Sequence, residues 1–276
     1  MPDYFRSKHI STNKAKMTFC IYAVLFTLES KEPEANEYIK IFYIWLSQIC
    51  KIKAADRVVL LTDSRTSEYL SKSFIMEKML REIKFTLNIL LFPPPKTLLE
   101  GMTHKYATFD YSEDYLMYAD LDVMFLMHPL LIVGEDNNDR LMVQFEMDIN
   151  KHGYMEAMTD EEKANALKTS ALGISAGKFI IRGKKIRDVL FKIINDMIGI
   201  APNINYYTIE QPIFNKVVFL VYDIIPVQRI PTEKISANFF DYTEKCVLMD
   251  LFGDPGNGQT HLNKVIEFIA YTNMKE

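Results

Sequence analysis

Cysteine is scarce: Cys20, Cys50 and Cys246 are three in 276 residues, far apart and odd in number. That excludes a disulfide framework and a zinc knuckle, and the usage fits a reducing compartment. Positive charge is not in excess. Thirty-two Lys and Arg face 36 Asp and Glu, a net charge of −4, so a general nucleic-acid binder, which needs a basic surface, is not expected. Glycine is sparse at 10 residues, and no Gly-x-Gly-x-x-Gly follows a strand-like run, which removes the dinucleotide fingerprint. Internal repeats and low-complexity linkers are lacking. A membrane-spanning run is lacking too. Met17–Leu28 is apolar and follows Arg6, Lys8, Lys14 and Lys16, the outline of a signal peptide, but it is too short to cross a bilayer. Its Thr18, Tyr22 and Thr27 favour a buried strand, and no small-residue cleavage site follows. Residues 1–16 are therefore expected to be a flexible tail, and 17–276 a single domain with no membrane span.

What the chain does have is an alternation of strand-like and helix-like runs. After the first strand, Tyr38, Ile41, Phe42, Trp45, Leu46 and Ile49 recur at helical spacing within Glu34–Cys50. Arg57–Asp63 reads as a buried strand, Ser67–Arg81 as a helix, Phe85–Phe92 as a strand stopped by Pro93-Pro94-Pro95, and Gly101–Tyr111 as a short helix. Leu141–Phe145 and Phe179–Arg182 are later strands, separated by a polar excursion over His152–Ser170. Ile186–Ile198 is helical, Glu210–Lys216 starts a helix and Val217–Ile225 reads as a strand. This order predicts an α/β fold, a mixed, mostly parallel sheet flanked by helices.

Ligands of such sheets bind beyond the carboxyl ends of the strands. Thr27-Leu28, Asp63 and Asp120-Leu-Asp122 all fall there. In Tyr115–Phe125 two aspartates interrupt an apolar strand one residue apart, and strand alternation would point both the same way. Paired carboxylates at the end of an apolar strand repel each other and lose solvation. A divalent cation held by oxygen ligands would relieve both, and could grip the diphosphate of a nucleotide-activated substrate. The plain alternative is that strand-end aspartates cap the next helix. His261, after the glycine-rich Gly253–Thr260, opens a helix whose amides suit phosphate; the plain alternative is a turn with Thr260 as cap.

Several of these segments, in order, resemble the GT-A glycosyltransferases, most closely the glycogenin-like members, glycosyltransferase family 8 and its relatives. They are Met17–Thr27, Val58–Asp63, Lys105 ahead of Tyr115-Leu-Met-Tyr-Ala-Asp-Leu-Asp122, Met127-His-Pro-Leu130, Ile174-Ser-Ala-Gly-Lys-Phe-Ile-Ile181, Glu210-Gln-Pro-Ile-Phe-Asn215 and His261-Leu-Asn-Lys264. The resemblance implies that Asp120, Asp122 and His261 hold Mn2+ or Mg2+, a mixed oxygen and imidazole set that suits manganese. It implies a donor site at Thr27, Leu28, Asp63, Lys105, Leu121, Ala176, Gly177 and Lys264, and Gln211 beside the reacting carbon. Retention is the favoured outcome; inversion would need a base such as Asp148, Glu146 or Glu210.

The expected partners are a nucleotide-sugar donor, a UDP-sugar foremost, and a glycan or other hydroxyl acceptor. Tyr154, Tyr206, Tyr207 and Phe239 are candidates for a sugar-stacking wall or for the core. Ser175 stands where the family has asparagine and Glu210 where it has aspartate, and no Pro or Trp follows Lys264, the marks of a diverged relative. Without an anchor, a cytoplasmic enzyme of a microbe or virus is expected. Two other classes stay open. A nucleotidyltransferase would want a glycine-rich, basic loop after the first strand, which Thr27–Glu34 lacks. A non-catalytic relative would bind a glycan or partner.

Overall fold

The computed structural model describes residues 17–134, 136–200, 209–238, 240, 242–251 and 260–275. The opening apolar run forms β1 (Phe19–Leu25), every residue of which is buried. A strand covered on both faces needs a continuous apolar run rather than alternation, and that is how β1 reads. Asn36 caps α1 (Glu37–Ile52) by accepting from the Tyr38 amide, and the helix ends at Lys53 in the left-handed region, φ 55°. Its buried stripe includes Ile41, Phe42, Trp45, Leu46 and Ile49, so the helical spacing read from the sequence is the core-facing side. β2 (Arg57–Asp63) follows.

The stretch expected to be one helix over Ser67–Arg81 is two, α2 (Ser64–Ser71) and α3 (Phe74–Glu82). The chain breaks between them, and the Ser73 hydroxyl accepts from the Met76 amide to start a new helix. Next come β3 (Thr86–Phe92), α4 (Leu98–Thr103) with a 3-10 turn at His104–Tyr106, and β4 (Tyr115–Ala119).

The aspartate stretch corrects the sequence reading. The strand does not run through Asp120 and Asp122. It stops at Ala119, turns with the Val123 amide donating to the Asp120 carbonyl at 3.0 Å, and re-emerges as β5 (Val123–Phe125) in a different sheet. Val123–Phe125 pairs with Leu248–Asp250 instead of extending β4, and aspartate, which suits turn backbone, lets the run break at that point. A turn, rather than the pleat of one strand, sets where the two carboxylates point.

The chain continues through α5 (Leu130–Val133), β6 (Arg140–Asp148), α6 (Asp160–Thr169), β7 (Leu172–Arg182), α7 (Lys184–Ile200) and α8 (Gln211–Val221). It then forms β8 (Val227–Arg229), β9 (Ile235–Ser236), β10 (Leu248–Asp250) and α9 (His261–Lys275). The expected strand at Val217–Ile225 is a second correction, since α8 runs through to Val221. Ile213, Phe214, Val217, Val218 and Val221 all lie buried along it, so one helical face outweighs the strand preference of its valines. The polar excursion carries α6 and a small core of its own from Ile149, Tyr154, Met158 and Ala166.

The main sheet has seven strands in the order β3-β2-β1-β4-β7-β6-β8. β7 runs antiparallel to both neighbours, and the other pairings are parallel. A second sheet, β5-β10-β9, packs beside it. One core lies between α1 and the sheets, around Phe42, Trp45 and Phe125; the other lies under α7 and α8, around Tyr118, Phe179, Phe191 and Phe214. Among the described residues, no helix is long and apolar enough to cross a membrane.

Candidate active site

The carboxyl ends of β1 and β4 open into a cleft of about 590 Å³. Phe26, Thr27, Leu28, Asn36 and Tyr38 line it together with Asp120, Leu121, Asp122 and His261. Thr27, Leu28, the aspartates and His261 were all expected at one site, and the fold brings them together. Tyr38 was read only as part of the α1 pattern. The residue is 38% exposed, and its ring lies 5.5 Å from that of His261. Position at a helix start beside the first strand's loop is the signal that could have flagged it.

Asp63 is buried and spends its carboxylate on backbone. One oxygen accepts from Arg65 and Thr66 amides at 2.9 Å each, capping α2. The other accepts from the Thr27 amide at 2.8 Å. The Thr66 hydroxyl donates to Thr27 Oγ1 at 2.8 Å and Asn36 Nδ2 does so at 3.0 Å. Asp63 thus caps α2 and holds the Thr27 segment in place without lining the cleft.

Asp120 is held from several directions. Its amide donates to the Gly177 carbonyl at 2.8 Å, and Tyr118 Oη donates a short hydrogen bond to Oδ1. Lys105 Nζ lies 3.9 Å from Oδ1, fully buried, over the Tyr118 ring at 4.6 Å. The same ammonium donates to Glu210 Oε1 at 2.6 Å and to the Ala176 carbonyl at 3.3 Å. Gly177 has a concrete reason to be glycine, because a Cβ there would meet Asp120 Oδ2 at 2.8 Å.

Across the turn, His261 Nε2 lies 3.3 Å from Asp122 Oδ2. Burial pushes the Asp122 carboxyl up to about 8, reinforced by Asp120 and Asp250 and opposed by Lys178. Burial also raises Asp120, against the pull of Lys105 and the Tyr118 hydrogen bond. Burial holds the His261 imidazole below its usual range. Neutral imidazole and carboxylates reluctant to ionise alone are the donor chemistry a cation would stabilise. Among the described residues, no three His, Cys, Asp or Glu side chains already converge as a finished cluster.

The other expected residues lie around this core. Gln211 Oε1 accepts from the Ala176 amide at 3.2 Å, so Gln211, Ala176 and Gly177 form a layer behind the aspartates. Glu210 is buried against Lys105. Asp148 sits at the exposed end of β6, where the Asn150 amide and side chain hold its carboxyl below the usual range. Glu146 Oε1 accepts from Tyr154 Oη at 2.8 Å, and Tyr154 is buried beneath α6 rather than offered to a sugar. Lys264 lies one turn into α9 and does not line the cleft. Tyr206, Tyr207, Phe239, the tail 1–16 and residues 252–259 of the glycine-rich stretch lie outside the described residues.

No protein-family model matches the chain, and no curated protein sequence does either. Solved structures do. The bifunctional glycosyltransferase WbbM superposes over 94% of this chain with a TM-score of 0.54 at 13% identity. This chain spans about half of WbbM, 51% of its length. Mouse xyloside xylosyltransferase 1 superposes over 85% of this chain and 98% of its own, with a TM-score of 0.53 at 8% identity. The fold is that of the GT-A glycosyltransferases. In GT-A terms, the Asp120-Leu-Asp122 turn occupies the junction between the parallel half of the sheet and its antiparallel strand β7.

Proposed function

We propose that this chain is a metal-dependent glycosyltransferase that moves a sugar from a nucleotide-diphosphate donor, foremost a UDP-sugar, to a glycan or other hydroxyl acceptor. The observation that carries the reading is the gathering of Asp120, Asp122 and His261 around one cleft with Thr27, Leu28 and Tyr38. Those three side chains would hold Mn2+ or Mg2+, which when bound neutralises the diphosphate as it leaves.

The chain's own residues do the rest. The Thr27 segment, fixed by Asp63, and the Tyr38 ring offer hydrogen-bonding and stacking surface to a base. Lys105 keeps a positive charge at the back of the site: burial pulls its pKa down, but Asp120 and Glu210 outweigh burial and raise it. Gln211, tied to Ala176, lines up the layer facing the reacting carbon. Glu210 is consumed by Lys105, Glu146 is engaged by the Tyr154 hydroxyl, and Asp148 is an exposed, weakly basic carboxylate, so none of the three makes a good base. That supports retention, with a glycogenin-like relationship as the finer reading.

Calorimetric titration of UDP, GDP and their common sugar conjugates, with and without Mn2+, tests this. Binding to the wild type that needs manganese and is lost in Asp122→Ala is the expected result. No nucleotide binding at millimolar concentration would overturn the reading and leave a non-catalytic fold relative.

A further inference from the structure

The aspartate turn joins two sheets, and one buried ion pair crosses the same junction. On β7, Lys178 lies opposite Ala119, the residue before the turn. On β10, Asp250 lies opposite Val123, the residue after it. Their side chains meet, Lys178 being 1% and Asp250 16% exposed, and Lys178 Nζ also donates to Ser175 Oγ at 3.2 Å. The backbone repeats the clasp. The Asp120 amide donates to the carbonyl of Gly177, beside Lys178, and the Leu251 amide, beside Asp250, donates to the Asp122 carbonyl at 2.9 Å.

A buried ammonium–carboxylate pair adds little stability over apolar residues of similar size, so stability is a poor reason for this one. Its place is a better reason. Lys178 sits among carboxylates: Asp250 in contact, and Asp120, Asp122 and Glu146 within electrostatic reach. Burial works against its charge, but Asp250 and Glu146 outweigh that, and the ammonium stays charged.

We propose that the Lys178–Asp250 pair sets the affinity of the aspartate turn for a divalent cation, with Lys178 as a resident counter-charge and Asp250 as the anion that holds it there. This rests on the reading of Asp120, Asp122 and His261 as the cation's ligands. Both are positioning residues, acting through the aspartates. Removing either changes the local charge by one unit in opposite directions, so the two losses have opposite effects on cation binding. A packing role would weaken binding in both.

The test is the dissociation constant of Mn2+ alone, by calorimetry, with thermal unfolding recorded alongside. Lys178→Met is expected to bind Mn2+ about tenfold more tightly and Asp250→Asn about tenfold more weakly, the order expected of one unit charge in a partly buried site. The double variant, neutral at both positions, returns to near the wild-type value. If Lys178→Met does not fold, the recovery from Asp250→Asn to the double variant decides the matter. Equal weakening in both single variants, or no change in either, overturns the inference while leaving the metal site intact. Absence of Mn2+ binding to the wild type, or its survival in Asp120→Ala, removes the metal site and this inference with it.

Discussion

At the scale of single residues, the site depends on small clearances. Gly177 leaves room for the Asp120 carboxylate, and nothing else in its backbone demands glycine, since its φ is not positive. Gly177→Ala would force that carboxylate aside, and a cation site tolerates only about 0.5 Å of error. Mn2+ affinity is expected to fall about tenfold, or 1.4 kcal/mol, with the melting temperature within a few degrees of wild type. Calorimetry and thermal unfolding on one preparation check it, and unchanged affinity would show that Asp120 Oδ2 is not a ligand. The role of Asp63 is clear at this scale too. Its three amide partners make it the anchor of the Thr27 segment, a part that a strand-end aspartate plays without touching a ligand.

At the scale of elements, α6 is the one expected as a polar excursion, and it is built as a capped helix. Thr159 and Glu162 form a reciprocal capping box, and Lys216 of α8 pairs with Glu162 at 2.9 Å. Thr159→Ala is expected to destabilise the protein by about 1 kcal/mol, seen as a small drop in melting temperature. Burial pushes the Glu162 carboxyl up, but the Thr159 amide and Lys216 outweigh it and hold it below its ordinary value. A depressed carboxylate contributes stability in full above the unfolded value of 4.5 and loses it as the pH falls through the folded one. The stability gap between wild type and Glu162→Gln should therefore be present at neutral pH and shrink in acid. A gap that grows on acidification would contradict this account of the cap.

At the scale of the whole molecule, the proposed cation site would be coupled to folding, because the aspartate turn that forms it exists only where the two sheets meet. Anything that binds the folded chain alone stabilises it, by about 2.7 kcal/mol at a hundred times its Kd. For a chain of this size that is roughly 5–10 °C. Mn2+ should raise the melting temperature of the wild type by that order and leave Asp120→Ala unmoved. An equal rise in both would assign the ion to some other site. The two solved structures agree with this chain in fold at 13% and 8% identity, so the overall architecture persists where most side chains differ.

The sequence by itself determined the elements whose causes are local. β1 is an unbroken apolar run and β2 has one at its centre, α1 carries its buried stripe at helical spacing, and Asp120, Asp122 and His261 stand out as donor-bearing residues in an apolar or glycine-rich setting. Tertiary structure decided what depends on distant neighbours. α8 stays helical through valines that favour strands because its whole inner face is covered. The apolar run through the aspartates splits because Val123–Phe125 pairs with β10 instead of continuing β4. Lys105 meets Glu210 across 105 positions, and Lys178 meets Asp250 across 72. No local pattern encodes such pairings. A buried charge finds its partner only when the sheets close, and the electrostatics of this site are set there.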